Sequence, residues 1–171
     1  IAMLRAVARP ESSDALSAAL AVRAFHCHPA DLGRVWVELR SRNRERAEGE
    51  SGISLHALLL EKEHELREEL HRAHDLINRL HLAADSMILP ALLQDLLLGS
   101  SILPATGTEA ADPRVIAGLH AFYDYVKNRC YEQKSLTLEG MLADIDQYLN
   151  EPSLTLEYDM PHLVMDGVQI M

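Results

Sequence analysis

The feature that most limits what this chain can fold into lies between Ser54 and Leu89. There Leu59, Leu66, Ala73, Leu80 and Met87 recur every seven residues, and Leu70, Ile77 and Ala84 fill a second position of the same repeat. A 4-3 spacing held over about three heptads buries one seam of a helix against partner helices. It predicts one long helix from about Ser54 to Leu89. Pro90 must end or kink that helix, because its ring removes a backbone donor and clashes with the preceding turn.

A second seam follows. Asp112 and Pro113, a cap and a first-turn proline, open a helix on which Ile116, Leu119, Tyr123, Val126 and Cys130 step by three and four. The stretch Gly99 to Thr108, with Pro104 and Gly107, reads as the connecting loop. Two seams joined in this way predict a mainly α fold, a long antiparallel helical hairpin. A lone hairpin buries little apolar surface, so it is expected to pair with a second copy, or with other partner helices, into a helix bundle.

The flanking segments are shorter. Ser12 or Ser13 caps a helix carrying Leu16, Leu20 and Phe25 inward. Pro29 suits a first helical position and Asp31 the positive first turn of the next, with Leu32, Val35, Trp36 and Leu39 as its stripe. Thr137 caps a helix with Leu138, Leu142, Ile145 and Leu149 inward. After Pro152 the period changes: Leu154, Leu156 and Tyr158 alternate with polar residues, and Asp166-Gly167 sits between two apolar runs as a hairpin turn. The Gly/Glu/Ser stretch at 48–52 is the best boundary. It gives an N-terminal helical segment (1–50), a hairpin and dimerisation domain (51–150), and a short β element (151–171) that a larger domain could continue.

Composition narrows the function classes. With 171 residues the chain can build a core without disulfides. A net charge of −10, with three lysines among sixteen basic residues, repels phosphate backbones and anionic lipid. Neither nucleic acid nor membrane is therefore an expected partner. The arginines between Arg40 and Gly52 are interrupted by glutamates and read as a solvated helix end. No apolar run is long enough for a membrane span, and Ile1 to Ser13 lacks a secretion signal and an initiator Met, the look of a piece of a longer cytoplasmic chain. Cys27 and Cys130 read as isolated reduced thiols.

The chemistry-bearing candidates are histidines. "HRAHDLINRLH", His71 to His81, holds three of them. His64 and His71 lie one heptad apart, as do His74 and His81, and with Arg67, Asn78 and Asp85 they form a polar stripe beside the seam. The plainest reading is a solvated helix face. His71 and His74 could share an ion with Glu68 or Asn78 adjacent, but no His-Glu-x-x-His spacing or second cluster closes a shell, so neither metal nor other cofactor is expected. A chemical reading also exists. A neutral, solvent-facing imidazole can attack a phosphoryl group when a neighbouring carboxylate fixes its tautomer. His74 has Asp75 beside it, and Asn78 one turn on could bond the incoming phosphate. "FHCHP" (Phe25 to Pro29) reads as a helix end with a buried thiol, and no serine has a hydrolase context.

The run "LLLEKEHELREELHRAHDLINRLHL" resembles the phosphoacceptor helix of bacterial sensor histidine kinases, with His74, Asp75, Asn78 and Leu80 in register. "RVIAGLHAFYDYV" is similar to the second helix of the dimerisation domain in that group. Residues Ser135 to Ile170 look like its linker helix and the first strands of the ATP-binding domain. The resemblance covers 58–171. It implies a phosphotransfer and dimerisation module with His74 as acceptor, Asp75 as orienting carboxylate and Asn78 as phosphate contact. A receiver domain or an ATP-binding domain would be the partner. Asp75 stands where that subgroup commonly has a basic residue, which leaves His71, followed by Arg72, as a rival acceptor. The chain ends at Met171, before the family's asparagine helix and glycine-rich lid, so it could receive a phosphoryl group but not make one from ATP. The competing expectation is a non-catalytic helical scaffold. An accessible His74 favours the first, and a stripe covered by the N-terminal helices favours the second.

Overall fold

The computed structural model describes residues 1–46, 51–102 and 113–150. They form eight α-helices: α1 (Ala2–Ala8), α2 (Ser13–Leu20), α3 (Pro29–Arg44), α4 (Leu55–Glu61), α5 (Glu68–Ala83), α6 (Leu89–Gly99), α7 (Pro113–Glu132) and α8 (Leu138–Asn150). The mainly α expectation holds. The strand and hairpin turn expected near the C-terminus, and the Asp112 cap, lie outside the described residues.

Local chemistry sets most helix starts. The Ser12 hydroxyl accepts the Ala15 N–H at 3.3 Å and opens α2, and Ser54 accepts from Ala57 at 3.1 Å to open α4. At α3 the cap is His28, whose Nδ1 accepts the Ala30 N–H at 3.2 Å ahead of Pro29. Thr137 accepts from Gly140 at 3.2 Å and opens α8. On α8 the inward residues are Leu138, Met141, Leu142 and Ile145, whereas Leu149, expected inward, is 61% exposed at the frayed end of the stripe.

The long helix expected from Ser54 to Leu89 is broken twice. After α4 the chain makes a 3-10 turn at Glu63–Glu65, and Leu66 and Arg67 are extended. The cause is legible in the charges. Glu61, Glu65 and Glu69 would stack at four-residue steps on a continuous helix, where like charges repel. The turn releases Lys62 to bond Glu38 of α3 at 2.8 Å and brings Arg67 to within 3.3 Å of the buried Asp31 carboxylate. Glu68 and Glu69 then fall in the first turn of α5, where the helix dipole favours acid. The second break follows Ala83. Pro90 does not kink a continuing helix; it sits in the first turn of α6, where its missing N–H costs nothing.

Most of the seam is buried, but within this one chain, while Leu66, Ala84 and Met87 at the two breaks are half-buried. Leu59, Leu70, Ala73, Ile77 and Leu80 are all at most 2% exposed. Their partners are α1, α2 and α6, packed around α5, while α7 lies on α6 and α8 on α1. The hairpin of two long helices is therefore not the architecture: α6, which the heptad pattern does not single out, stands between α5 and α7 and contributes Leu89, Leu92, Leu93 and Leu96 to the core. Helices from before residue 50 pack directly on helices after it. Asn43 ties the two across the Gly/Glu/Ser stretch, accepting the Ile53 N–H at 2.7 Å and donating to its carbonyl at 3.1 Å.

Candidate functional site

The break at 62–67 has one chemical result. His56 and His74 would lie about 27 Å apart along an unbroken helix. Here His56 Nδ1 and His74 Nε2 are 2.9 Å apart, with ring centroids separated by 5.0 Å and planes tilted by 55°. Both side chains are buried: His74 is 3% exposed and His56 7%. One ring must donate and the other accept, so a single proton lies between them.

Few charges surround the pair. Glu11, just before α2, places Oε1 3.8 Å from His56 Nε2, while its other oxygen accepts the Ser54 hydroxyl at 2.7 Å. Burial, then the neighbouring His56 and His71, hold the His74 pKa down at about 4, against a small opposing pull from Asp75. His74 is thus a neutral imidazole at ordinary pH.

The outward-facing stripe expected from the heptad is corrected by these placements. His64 and Asp85 are exposed and His71 half-exposed, but His74 points into the core. His81 is tied to α1, its Nδ1 lying 2.8 Å from the Val7 carbonyl. A carbonyl only accepts, so Nδ1 bears the hydrogen. The physical reason is the break: once α4 folds back and α1 covers α5, the buried face of α5 widens beyond the seam to include the neighbouring histidine positions. Asp75 lies on the exposed side of α5 and Asn78 is half-buried, so the three expected site residues do not converge on one open point. The rival His71 keeps a solvent-facing edge, with Nε2 3.9 Å from the Glu63 carboxylate.

Sequence reasoning missed His56 and Glu11. The available signal was the cap at Ser54 followed by Leu55, Leu58 and Leu59, all buried: if α4 is a separate short helix, His56 falls on its inner face. Elsewhere "FHCHP" splits into separate roles. His26 turns the chain in the left-handed region at φ 54°, and His28 caps α3. The Cys27 thiol is pushed up to about 11, chiefly by burial and then by Glu69 and Asp31. Cys27 and Cys130 are both free. Trp36 packs on the core and donates its indole N–H to Ser17 at 2.9 Å.

A cleft of about 500 Å³ lies between the α5–α6 turn and the α7–α8 connection, lined among others by His81, Asp85, Cys130 and Lys134. Leu82 and Ile88 stand on its rim, 75% and 72% exposed. Among the described residues no three His, Cys, Asp or Glu side chains come together to hold a metal ion, and no helix is long and apolar enough to cross a membrane. No family model, curated protein or solved structure matches this chain.

Proposed function

We propose that this chain is a non-catalytic helical scaffold that engages partner helices through its remaining exposed apolar side chains. The observation that carries the reading is the enclosure of His74, with Nε2 already bonded to His56 of α4 and with α1 packed on α5. A phosphoryl acceptor needs a neutral imidazole nitrogen that a donor can reach. His74 is neutral but enclosed. The seam that would have served dimerisation is consumed inside the chain, and the apolar side chains still exposed include Leu82, Ile88 and Leu98, the last 70% exposed. Leu82 and Ile88 share the rim of one cleft, and an exposed apolar pair beside a concave surface is a natural seat for a partner helix.

A phosphotransfer role is the second reading, and one observation favours it: His71, half-exposed with Glu63 beside Nε2, has the accessible edge that His74 lacks. The two readings part under intact-mass analysis of the folded chain after exposure to phosphoramidate. The scaffold reading expects no adduct. One acid-labile phosphoryl group that disappears with His71→Ala would replace it by phosphotransfer on His71, and loss only with His74→Ala would place the reaction on a side chain that must first be uncovered.

A further inference from the structure

The buried imidazole pair does something that neither reading uses. We propose that His56 and His74 form an acid-sensitive latch, whose double protonation releases α4 from α5 and loosens α4 and the facing turns of α5, while the rest of the fold persists. The inference does not rest on the scaffold reading.

The geometry carries it. At 2.9 Å between Nδ1 and Nε2 there is room for one hydrogen. A first added proton can sit on the outer nitrogen of His56, where the Glu11 carboxylate faces it at 3.8 Å, and the inner bond survives with His56 as donor. A second cannot be accommodated. It would set two N–H groups head to head and two cations 5.0 Å apart between centroids, both largely removed from water. The charges around the pair do not rescue that state. Glu11 approaches from the segment before α2, on the His56 side, and is 72% exposed at its side chain. On α5, Asp75 is exposed, and His71 adds a third imidazole nearby and no counter-charge.

The place of α4 makes the pair a latch. It is a seven-residue helix set between the extended Ser54 and the turn at 62–67. Its other polar ties run toward the N-terminal helices: Leu55 N–H to Ser13, Ser54 to Glu11, Glu61 to Arg42 and Lys62 to Glu38. The histidine bond is the one that reaches α5. Breaking it leaves α4 attached to α2 and α3 and parts the two imidazoles.

The test uses the whole chain, titrated from about pH 7 to about pH 3, a range that passes the His74 value of about 4. Long-range proton–nitrogen spectra of the imidazoles are recorded with segment-resolved hydrogen exchange, corrected for the chemical rate at each pH. The expected result is a tenfold or greater loss of protection confined to α4 and the facing turns of α5, in step with the charging of both rings. Replacing His74→Gln, which keeps a hydrogen-bonding group but accepts no proton, should abolish that local loss; His56→Gln serves the same purpose if the first variant does not fold. The proposal is overturned if both rings charge while α4 stays protected, or if all helices lose protection together in wild type. Identical acid behaviour in a folded variant overturns it too. The wild-type titration decides alone if neither variant folds.

Discussion

Gly99 gives the sharpest check on how α5 meets α6. It is the last residue of α6, and a β-carbon built there would lie 2.5 Å from Leu76 Cδ1, 3.0 Å from Cδ2 and 3.3 Å from Cγ. All the branch carbons of Leu76 are involved, so turning one methyl aside does not clear the space. Leu76 is 4% exposed and cannot swing its side chain into water. Overpacking of this kind costs about 1–3 kcal/mol. The gain in helix propensity from Gly to Ala returns at most about 1 kcal/mol, and less at a terminal position. Gly99→Ala should therefore destabilise the fold by about 1–2 kcal/mol, the difference of those two effects. Urea unfolding followed by circular dichroism would read this as a lower midpoint with an unchanged slope. In a Leu76→Ala background the same change should become neutral or stabilising, because the added methyl then enters space the leucine has vacated. A neutral Gly99→Ala in the wild-type chain would refute the close approach. So would an equal loss in both backgrounds.

Other outcomes follow from single contacts. With the native His74 pKa at about 4 and an ordinary value near 6.5, the unfolded chain takes up the proton first. Stability from this group is thus full above about pH 6.5 and fades as pH falls toward 4, by up to about 3 kcal/mol; urea midpoints across that range should flatten in His74→Gln. Ser54→Ala removes the α4 cap and the Glu11 contact and should cost about 1 kcal/mol in the same unfolding assay. Trp36→Phe keeps most of the ring but loses the bond to Ser17, a loss of about 1 kcal/mol that Ser17→Ala should not deepen in the double variant. Arg129→Ala, despite bonds to both Asp144 and Glu132, should change the midpoint little, because all three side chains are partly solvated.

How much of this was legible in the sequence depends on the scale. Short-range signals carried through: the serine and threonine caps, Pro29 at its helix start, the α3 stripe and the burial of the heptad leucines all depend on a few neighbouring residues. What the heptad could not reveal is whose helices cover it. Leu59 and Ala73 keep the same register whether the chain between them is straight or turned, because two short helices can both present their leucines to one core. The turn depends on ties to Glu38 and Asp31, more than twenty residues away. The histidines were misplaced for the same reason. His74 sits beside the seam on an isolated α5, and only the return of α4 and the cover of α1 make that position interior.

The way α1 is held also bears on the order in which the fold can be completed. It is seven residues long, too short to persist alone, yet its Val7 carbonyl is bonded to His81 and its Arg5 pairs with Asp146. Those partners leave the ribosome 74 and 141 residues later. During synthesis α1 can pair with α2 at once, but its polar ties to α5 and α8 must wait for those helices. The α1–α2 pair can thus form early and be secured late, and the completion of this corner of the fold is set by the closure of two long loops.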